Sequence, residues 1–346
     1  MHAFHAYASG KDLPDKNSKA VLIVCPNWFG DSIMAMPAIQ AYSRLHPETR
    51  LNILVKSKCH SLWTMHPDID AIWNYPCNLA GLIKTINSLR KEMFHTAFVL
   101  PNSFRSALFP LLLHIPCRVG TAGHQRAWML TDIVKLQSLL GQKHQCYEYM
   151  QIMGIKDKEV EPPKITIPPV SITHIKERFF HDHGISIGFF PGAAYGPSKR
   201  WPSDSFIKLG RILKESLQCN ILLLGSSKES ALCAQVCNGI GKEAVNLAGS
   251  TSLPELAATL SLCKLVIAND SGGAHLASAV GTPVLVIFGI TDSEKTGPLG
   301  KNVTVLQNSD IQKRKLKRIS KAATKNLRQI RPEHVFKVAC RILNGQ

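Results

Sequence analysis

The stretch Asn269-Asp270-Ser271-Gly272-Gly273-Ala274-His275-Leu276 directly follows the apolar run Leu265-Val266-Ile267-Ala268. The run reads as a buried parallel strand, and the residues after it as the opening of a helix. A strand that turns helical through Asp, Ser, Gly and Gly leaves the backbone N–H groups of the first turn free, and such donors bind phosphate. Ser271, Gly272 and Gly273 are small and leave those donors accessible. Asp270 would repel a phosphate, so its carboxylate is read as an acceptor for hydroxyls, or else as a helix cap. Phosphate and hydroxyls together point to a nucleotide sugar. His275 falls one turn inside the helix, where it either reaches the phosphate or sits as a satisfied interior histidine.

Three other strand-to-helix corners carry candidate chemistry. Pro26-Asn27-Trp28-Phe29-Gly30-Asp31-Ser32 follows the run Val21-Leu22-Ile23-Val24-Cys25. Gly30 permits an unusual turn and a close ligand approach. Asp31 stands where a helix begins, either as its N-cap or as a carboxylate that takes a proton from an attacking hydroxyl. The segment from Phe190 to Pro202 holds Gly192, Gly196, Pro191 and Pro197, a loop composition. Its Lys199 and Arg200 are either ordinary surface charge or cations placed where a departing nucleoside diphosphate gathers negative charge. Trp201, before Pro202, reads as packing. In Leu222-Leu223-Leu224-Gly225-Ser226-Ser227-Lys228-Glu229, Glu229 either accepts bonds from ribose hydroxyls or is a helix-start charge. GxGxxG, the P-loop and the GxSxG elbow do not occur, which argues against hydride transfer, NTP hydrolysis and esterase chemistry. No DxD-like pair or metal cluster stands in the sequence, so a metal-held diphosphate is disfavoured.

Composition narrows the class. The chain has 346 residues, 45% apolar, enough for two cores. No apolar run reaches the length of a membrane span, and Met1 to Asn17 lacks the apolar core of a secretory signal. The ten cysteines are scattered without CxxC or zinc spacing, and read as reduced core thiols. The net charge of +17 is concentrated: Ile311 to Arg331 holds nine basic residues and no acidic one. That tract reads either as solvated charge or as a surface for an anionic partner. It has no interleaved aromatics, which weakens a single-strand nucleic-acid reading.

The elements that must position these residues alternate. Strands are expected at Val21–Cys25, Leu51–Val55, Ala71–Trp73 and Ala97–Leu100, with helices between. After the prolines at 162–163 and 168–169 the pattern restarts at Ile185–Phe190, Ile221–Leu224, Leu265–Ala268 and Val284–Phe288. Strands alternating with helices mean parallel sheets covered on both faces, with ligands beyond the carboxyl ends of the strands. The expected layout is a tail over 1–18, a domain over 19–165, a stiff linker over 166–183, a second domain over 184–331 that includes the basic tract at 311–331, and a helix over 332–346.

Four segments now stand in order: Asn27-Trp28-Phe29-Gly30-Asp31, Leu100-Pro101-Asn102-Ser103-Phe104-Arg105-Ser106-Ala107, Pro191-Gly192-Ala193 through Lys199-Arg200-Trp201-Pro202, and Asn269-Asp270-Ser271-Gly272. Together they closely resemble the lipopolysaccharide heptosyltransferase II group of glycosyltransferase family nine, over about Val21 to Leu306. Ile330-Arg331-Pro332-Glu333-His334-Val335 adds a weaker match. The resemblance implies an α/β fold of two Rossmann-like domains facing across a cleft, the GT-B type. It implies an enzyme that moves L-glycero-D-manno-heptose from ADP-heptose to a lipid A–Kdo type acceptor, with inversion and without metal or other cofactor. It makes the first domain the acceptor side and the second the donor side. It puts Asp31 at the family's proposed base and Lys199 at its diphosphate-binding lysine. Asp270 falls at the donor-sugar contact and Glu229 at a ribose contact. Ser271, Gly272 and Gly273 fall at the pyrophosphate turn. Gly30, Gly192, Arg200 and His275 join the donor-binding set, and Asn102, Ser103 and Arg105 the acceptor side. The stretch from Gln307 to Arg331 departs from the family in being Lys/Arg-rich and free of Cys. The expected location is cytoplasmic, at the inner face of the bacterial inner membrane, with the basic tract on the lipid surface and no nucleic-acid partner. The alternatives are another nucleotide-sugar enzyme of the same fold, such as an epimerase or a transferase to a different acceptor, and a basic nucleic-acid binder.

Overall fold

Ala20–Val24 (β1) is apolar at every position and Leu265–Asn269 at all but its last, and each is buried along its whole length. A strand covered by helices on both faces has no side for polar residues, so its sequence loses the alternation of a half-exposed strand. The computed structural model describes residues 19–345 apart from 77, 138–142, 158, 181–183, 243 and 309–316. The expected tail at 1–18 and the first part of the basic tract lie outside these residues.

The chain forms two units, divided between Thr166 and Ile167. In the first, β1 is joined by β2 (Arg50–Val55), β3 (Ala71–Asn74), β4 (Thr96–Val99), β5 (Cys117–Gly120) and β6 (Asp132–Ile133). All pairs are parallel, in the order β3-β2-β1-β4-β5-β6. The second unit holds β7 (Ser186–Phe190), β8 (Asn220–Leu223), β9 (Ala244–Asn246), β10 (Leu265–Asn269), β11 (Val284–Phe288) and β12 (Val303–Gln307). Its parallel order is β12-β11-β10-β7-β8-β9. Counted from β7, this repeats the first sheet. The strand order reverses between β1 and β4 in one unit and between β7 and β10 in the other. In open parallel sheets, the crevice beyond the carboxyl ends at such a reversal is where ligands bind.

Each unit has its own core. In the first it gathers Leu22, Val24, Leu54, Val99, Phe109 and Met129. In the second it gathers Ile187, Phe189, Trp201, Phe206, Ile267 and Leu285, with Val335 and Ala339 of the helix Pro332–Leu343. One expectation needs correction. The stretch read as a stiff linker over 166–183 carries a regular helix, Pro169–Phe179. Pro169 stands in its first turn, where the missing N–H has no intrahelical partner to lose. This helix packs on the helix Leu253–Leu262, with His174 Nδ1 2.8 Å from Glu255 Oε1. In the described part of the basic tract, Lys321–Arg328 is a helix that turns Ala323 and Leu327 inward while its cations stay exposed.

Candidate active site

In the second unit the loop after β7 and the turn after β10 meet at the reversal point. Asn269, the last residue of β10, is fully buried and stitches them together. Its Nδ2 donates to the Pro191 carbonyl at 2.8 Å, and its Oδ1 accepts from the Trp201 backbone N–H at 2.9 Å. Trp201 is core packing: its ring lies against Phe206 and its Nε1 donates to the Ile330 carbonyl at 2.9 Å. The loop is thus held at both ends. Between them, Lys199 reaches Asp270, Nζ to Oδ2 at 2.5 Å. The same oxygen accepts from Thr291 Oγ1 at 2.8 Å. With Asp270 only 7% exposed, the lysine is what makes a carboxylate tolerable there.

Next to this pair, the helix Gly272–Ala279 begins with Ser271 as its N-cap, but Ser271 makes no capping bond. Its Oγ is buried without a hydrogen-bond partner. The first-turn amides therefore keep their capacity for an outside acceptor. Gly273 has a steric reason: a Cβ there would stand 2.6 Å from the Phe190 ring. Gly192 has another, since a Cβ would meet Glu229 Oε1 at 2.0 Å. Glu229 itself closes a capping box, its Oε2 accepting from the Ser226 N–H and hydroxyl at 2.9 and 2.7 Å. Arg200 turns back on its own loop, with Nη2 3.2 Å from the Ala193 carbonyl. His275 is buried and engaged within the fold.

In the first unit the loops after β1 and β4 line one cavity of about 280 Å³. Asn27 and Trp28 come from the first loop, Asp31 from the helix it opens, and Pro101 and Asn102 from the second loop. Asp31 is not an N-cap. Trp28 holds that position, and Asp31 lies in the first turn of the helix Phe29–Leu45, half-buried, with Gly30 before it. Opposite stand Gln145, Glu148 and Tyr149 from the helix Gln145–Ile152. Burial pushes the Tyr149 phenol well above its ordinary value, and the Asp31 charge adds to the shift. The phenol therefore stays protonated beside the carboxylate. Ser103 caps the helix Phe104–Leu112. Arg105 lines a different cavity, with Pro76, Leu82, Leu108 and Phe109.

Arg126 carried no signal in the sequence, where it is one cation among many. It is wholly buried. Its guanidinium bonds the Pro101 and Ser103 carbonyls and Ser106 Oγ on one side. On the other it bonds the Thr121 carbonyl at 2.8 Å and hydroxyl at 3.0 Å. It thereby ties the β4 loop to Thr121, which also lines the Asp31 cavity. Desolvation draws its pKa down, and the neutral oxygens of two loops hold the charge. Tyr149, Glu148 and Thr291 likewise carry no signal in the sequence, because each reaches its site from a distant segment.

Among the described residues no group of three or more His, Cys, Asp or Glu is placed to hold a metal ion, and no helix is long and apolar enough to cross a membrane. The profile of glycosyltransferase family 9 (heptosyltransferase) matches residues 82–326. Lipopolysaccharide heptosyltransferase 2 of Salmonella typhimurium is 27% identical over 307 residues, covering 83% of this chain and 87% of that protein. Lipooligosaccharide heptosyltransferase 2 of Haemophilus influenzae is 29% identical over 306 residues, covering 83% and 88%. The solved structure of Escherichia coli ADP-heptose LPS heptosyltransferase II superposes with a TM-score of 0.82 at 25% identity, over 94% of this chain and 99% of that one. A family 9 glycosyl transferase from Veillonella parvula, at 20% identity, shares the fold with the same TM-score over 95% and 98%.

Proposed function

Because the chain belongs to glycosyltransferase family 9, we propose that it is an inverting heptosyltransferase of the type II kind, moving L-glycero-D-manno-heptose from ADP-heptose to the inner core of lipopolysaccharide. The observation that carries this reading is the Lys199–Asp270 pair beside an uncapped helix N-terminus. It offers a cation and free amides for a diphosphate, and a carboxylate for sugar hydroxyls, within one corner of one unit. Lys199 and the amides of Ser271, Gly272 and Gly273 hold the pyrophosphate and take up its growing charge as it leaves. Asp270 holds donor hydroxyls, and Glu229 and Gly192 border the nucleoside. These positive groups stand where a metal would otherwise act, so transfer proceeds without one.

Asp31 takes the proton from the acceptor hydroxyl, and the oxygen attacks the anomeric carbon opposite ADP. Asn102 and the other residues of the Asp31 cavity receive the acceptor, a lipid A–Kdo type glycolipid. Arg105, on its own cavity, meets an anionic part of that molecule. The exposed Lys317, Arg318, Lys321 and Lys325 hold the enzyme at the inner leaflet, where each basic residue near the surface is worth about 1 kcal/mol. The Lys317 and Arg318 carbonyls accept from Ser198 Oγ and N–H at 2.7 and 3.2 Å, so the tract is anchored on the loop that carries Lys199. The test is mass spectrometry of the product formed from ADP-heptose and Kdo-lipid acceptors in the presence of a chelator. A product heavier than the acceptor by one heptose is expected. Donor consumption without transfer would overturn the reading.

A further inference from the structure

Among the described residues the exposed Trp and Phe side chains are Trp28 (48% exposed), Phe104 (44%) and Trp128 (66%). Trp28 stands at one cavity, and the other two form a ring pair joined to that cavity through the loop that carries Asn102. Trp28 lines the Asp31 cavity. Phe104 follows two residues after Asn102, which lines the same cavity, and the Trp128 ring lies 6.4 Å from the Phe104 ring. Leu136, also exposed, completes the lining, and Ile133 is exposed on the short edge strand beside it. Apolar surface gathered in this way is uncommon on a protein that meets only water, and marks an interaction site.

Cations interleave with these rings. Lys58 Nζ stands 5.1 Å over the Trp28 ring. Lys135, exposed, lies between Ile133 and Leu136 in the chain. The carboxylates Asp31 and Glu148 line the cavity itself. Asp132, the exposed acid beside Ile133, accepts from Thr131 Oγ1 at 2.8 Å. Indole and phenyl rings alternating with Lys and Arg are what anchor a protein in the headgroup layer of an anionic bilayer. The rings enter the acyl boundary, and the long cationic side chains stay with the phosphates.

We propose that the mouth of the Asp31 cavity is a membrane-docking face, seated in an anionic lipid surface through Trp28, Phe104 and Trp128 and the cations among them. This rests on the reading that the acceptor is a membrane glycolipid. Docking there brings the cavity to the sugar headgroups without drawing the lipid out of the bilayer. The basic tract, by contrast, holds no aromatic residue.

The test uses the full-length protein and vesicles of phosphatidylglycerol and phosphatidylcholine, with no heptose or acceptor present, so it is independent of transfer. Brominated acyl chains are expected to quench tryptophan emission, and the quenching should fall when Trp128 is changed to Ala. The double variant Trp128→Ala, Phe104→Ala should bind vesicles about tenfold or more weakly, given the apolar area each ring buries. Trp128→Tyr should recover most of that loss. Transfer to a deacylated, water-soluble acceptor should be unchanged in the double variant, while transfer to acceptor embedded in vesicles falls with binding. Unaltered vesicle binding by the double variant would overturn the proposal, as would the absence of quenching. Loss of turnover on the soluble acceptor, with vesicle binding intact, would instead make the rings a sugar-stacking platform and equally overturn it.

Discussion

Asp31→Asn keeps the shape of the side chain and removes its basicity. Turnover should fall by about 10²–10⁴-fold, the usual weight of a general base. ADP affinity by calorimetry should stay the same, since the groups proposed to hold the donor belong to the second unit. Near-normal turnover would remove Asp31 from the role. Arg126 makes a different claim, because it touches loops rather than reacting atoms. Arg126→Lys keeps the charge but loses the planar fork that bonds two loops at once. It leaves buried carbonyls unpaired, each worth about 1–3 kcal/mol. The acceptor KM should rise and urea stability should drop, with ADP affinity unmoved; a variant with normal acceptor KM would confine Arg126 to stability. His66 sets a pH dependence. Burial lowers its pKa from 6.5 to about 3. The unfolded chain therefore takes up a proton that the folded chain refuses. Stability is lost as pH falls from 6.5 toward 3, by about 1.4 kcal/mol per unit at most. Urea titrations at stepped pH should show a shallower loss for His66→Gln than for the parent chain.

At the scale of elements, the two sites are products of strand ends. β1 and β4 deliver Asp31 and Asn102 to one cavity, and β7 and β10 deliver Lys199 and Asp270 to one ion pair. The opening of the helix Gly272–Ala279 is held against Phe190 of β7 with no room for a methyl group. Gly273→Ala should therefore push the helix start away from Lys199 and weaken ADP binding by about tenfold, or 1.4 kcal/mol. Isothermal titration checks this, and unchanged affinity would show that the first-turn amides do not face the diphosphate. The central strands could be read from the chain because burial on both faces makes their runs continuously apolar. β5, β6, β9 and β12 could not. They are two to five residues long and lie at or next to the edges of their sheets, and Asp132–Ile133 is exposed at both positions. The helix Pro169–Phe179 is hidden in the sequence because paired prolines signal a break, whereas the first turn of a helix accepts one.

At the scale of the whole molecule, the chain carries two cores and one repeated strand order. ADP binding is assigned to the second unit, so calorimetry should show that unit's transition rising by about 2.7 kcal/mol of stability at a hundredfold excess over Kd. Lys199→Ala should abolish most of the rise. A single transition that shifts as a whole would show that the two units unfold together. The amino-acid sequence by itself determined the class: alternating βα units, loops rich in Gly, Asp, Ser and Lys after apolar runs, and a family resemblance carried by four short segments. These are local properties, because a turn, a helix start and a buried strand are each written in a handful of adjacent residues. Only the tertiary structure decided which loops share a site. It brought Asp31 and Tyr149 to one cavity, sent Arg105 to another, buried Arg126 and set the Trp128 ring beside that of Phe104. Strand order and helix packing bring residues a hundred positions apart into contact, and neither composition nor spacing along the chain records that convergence.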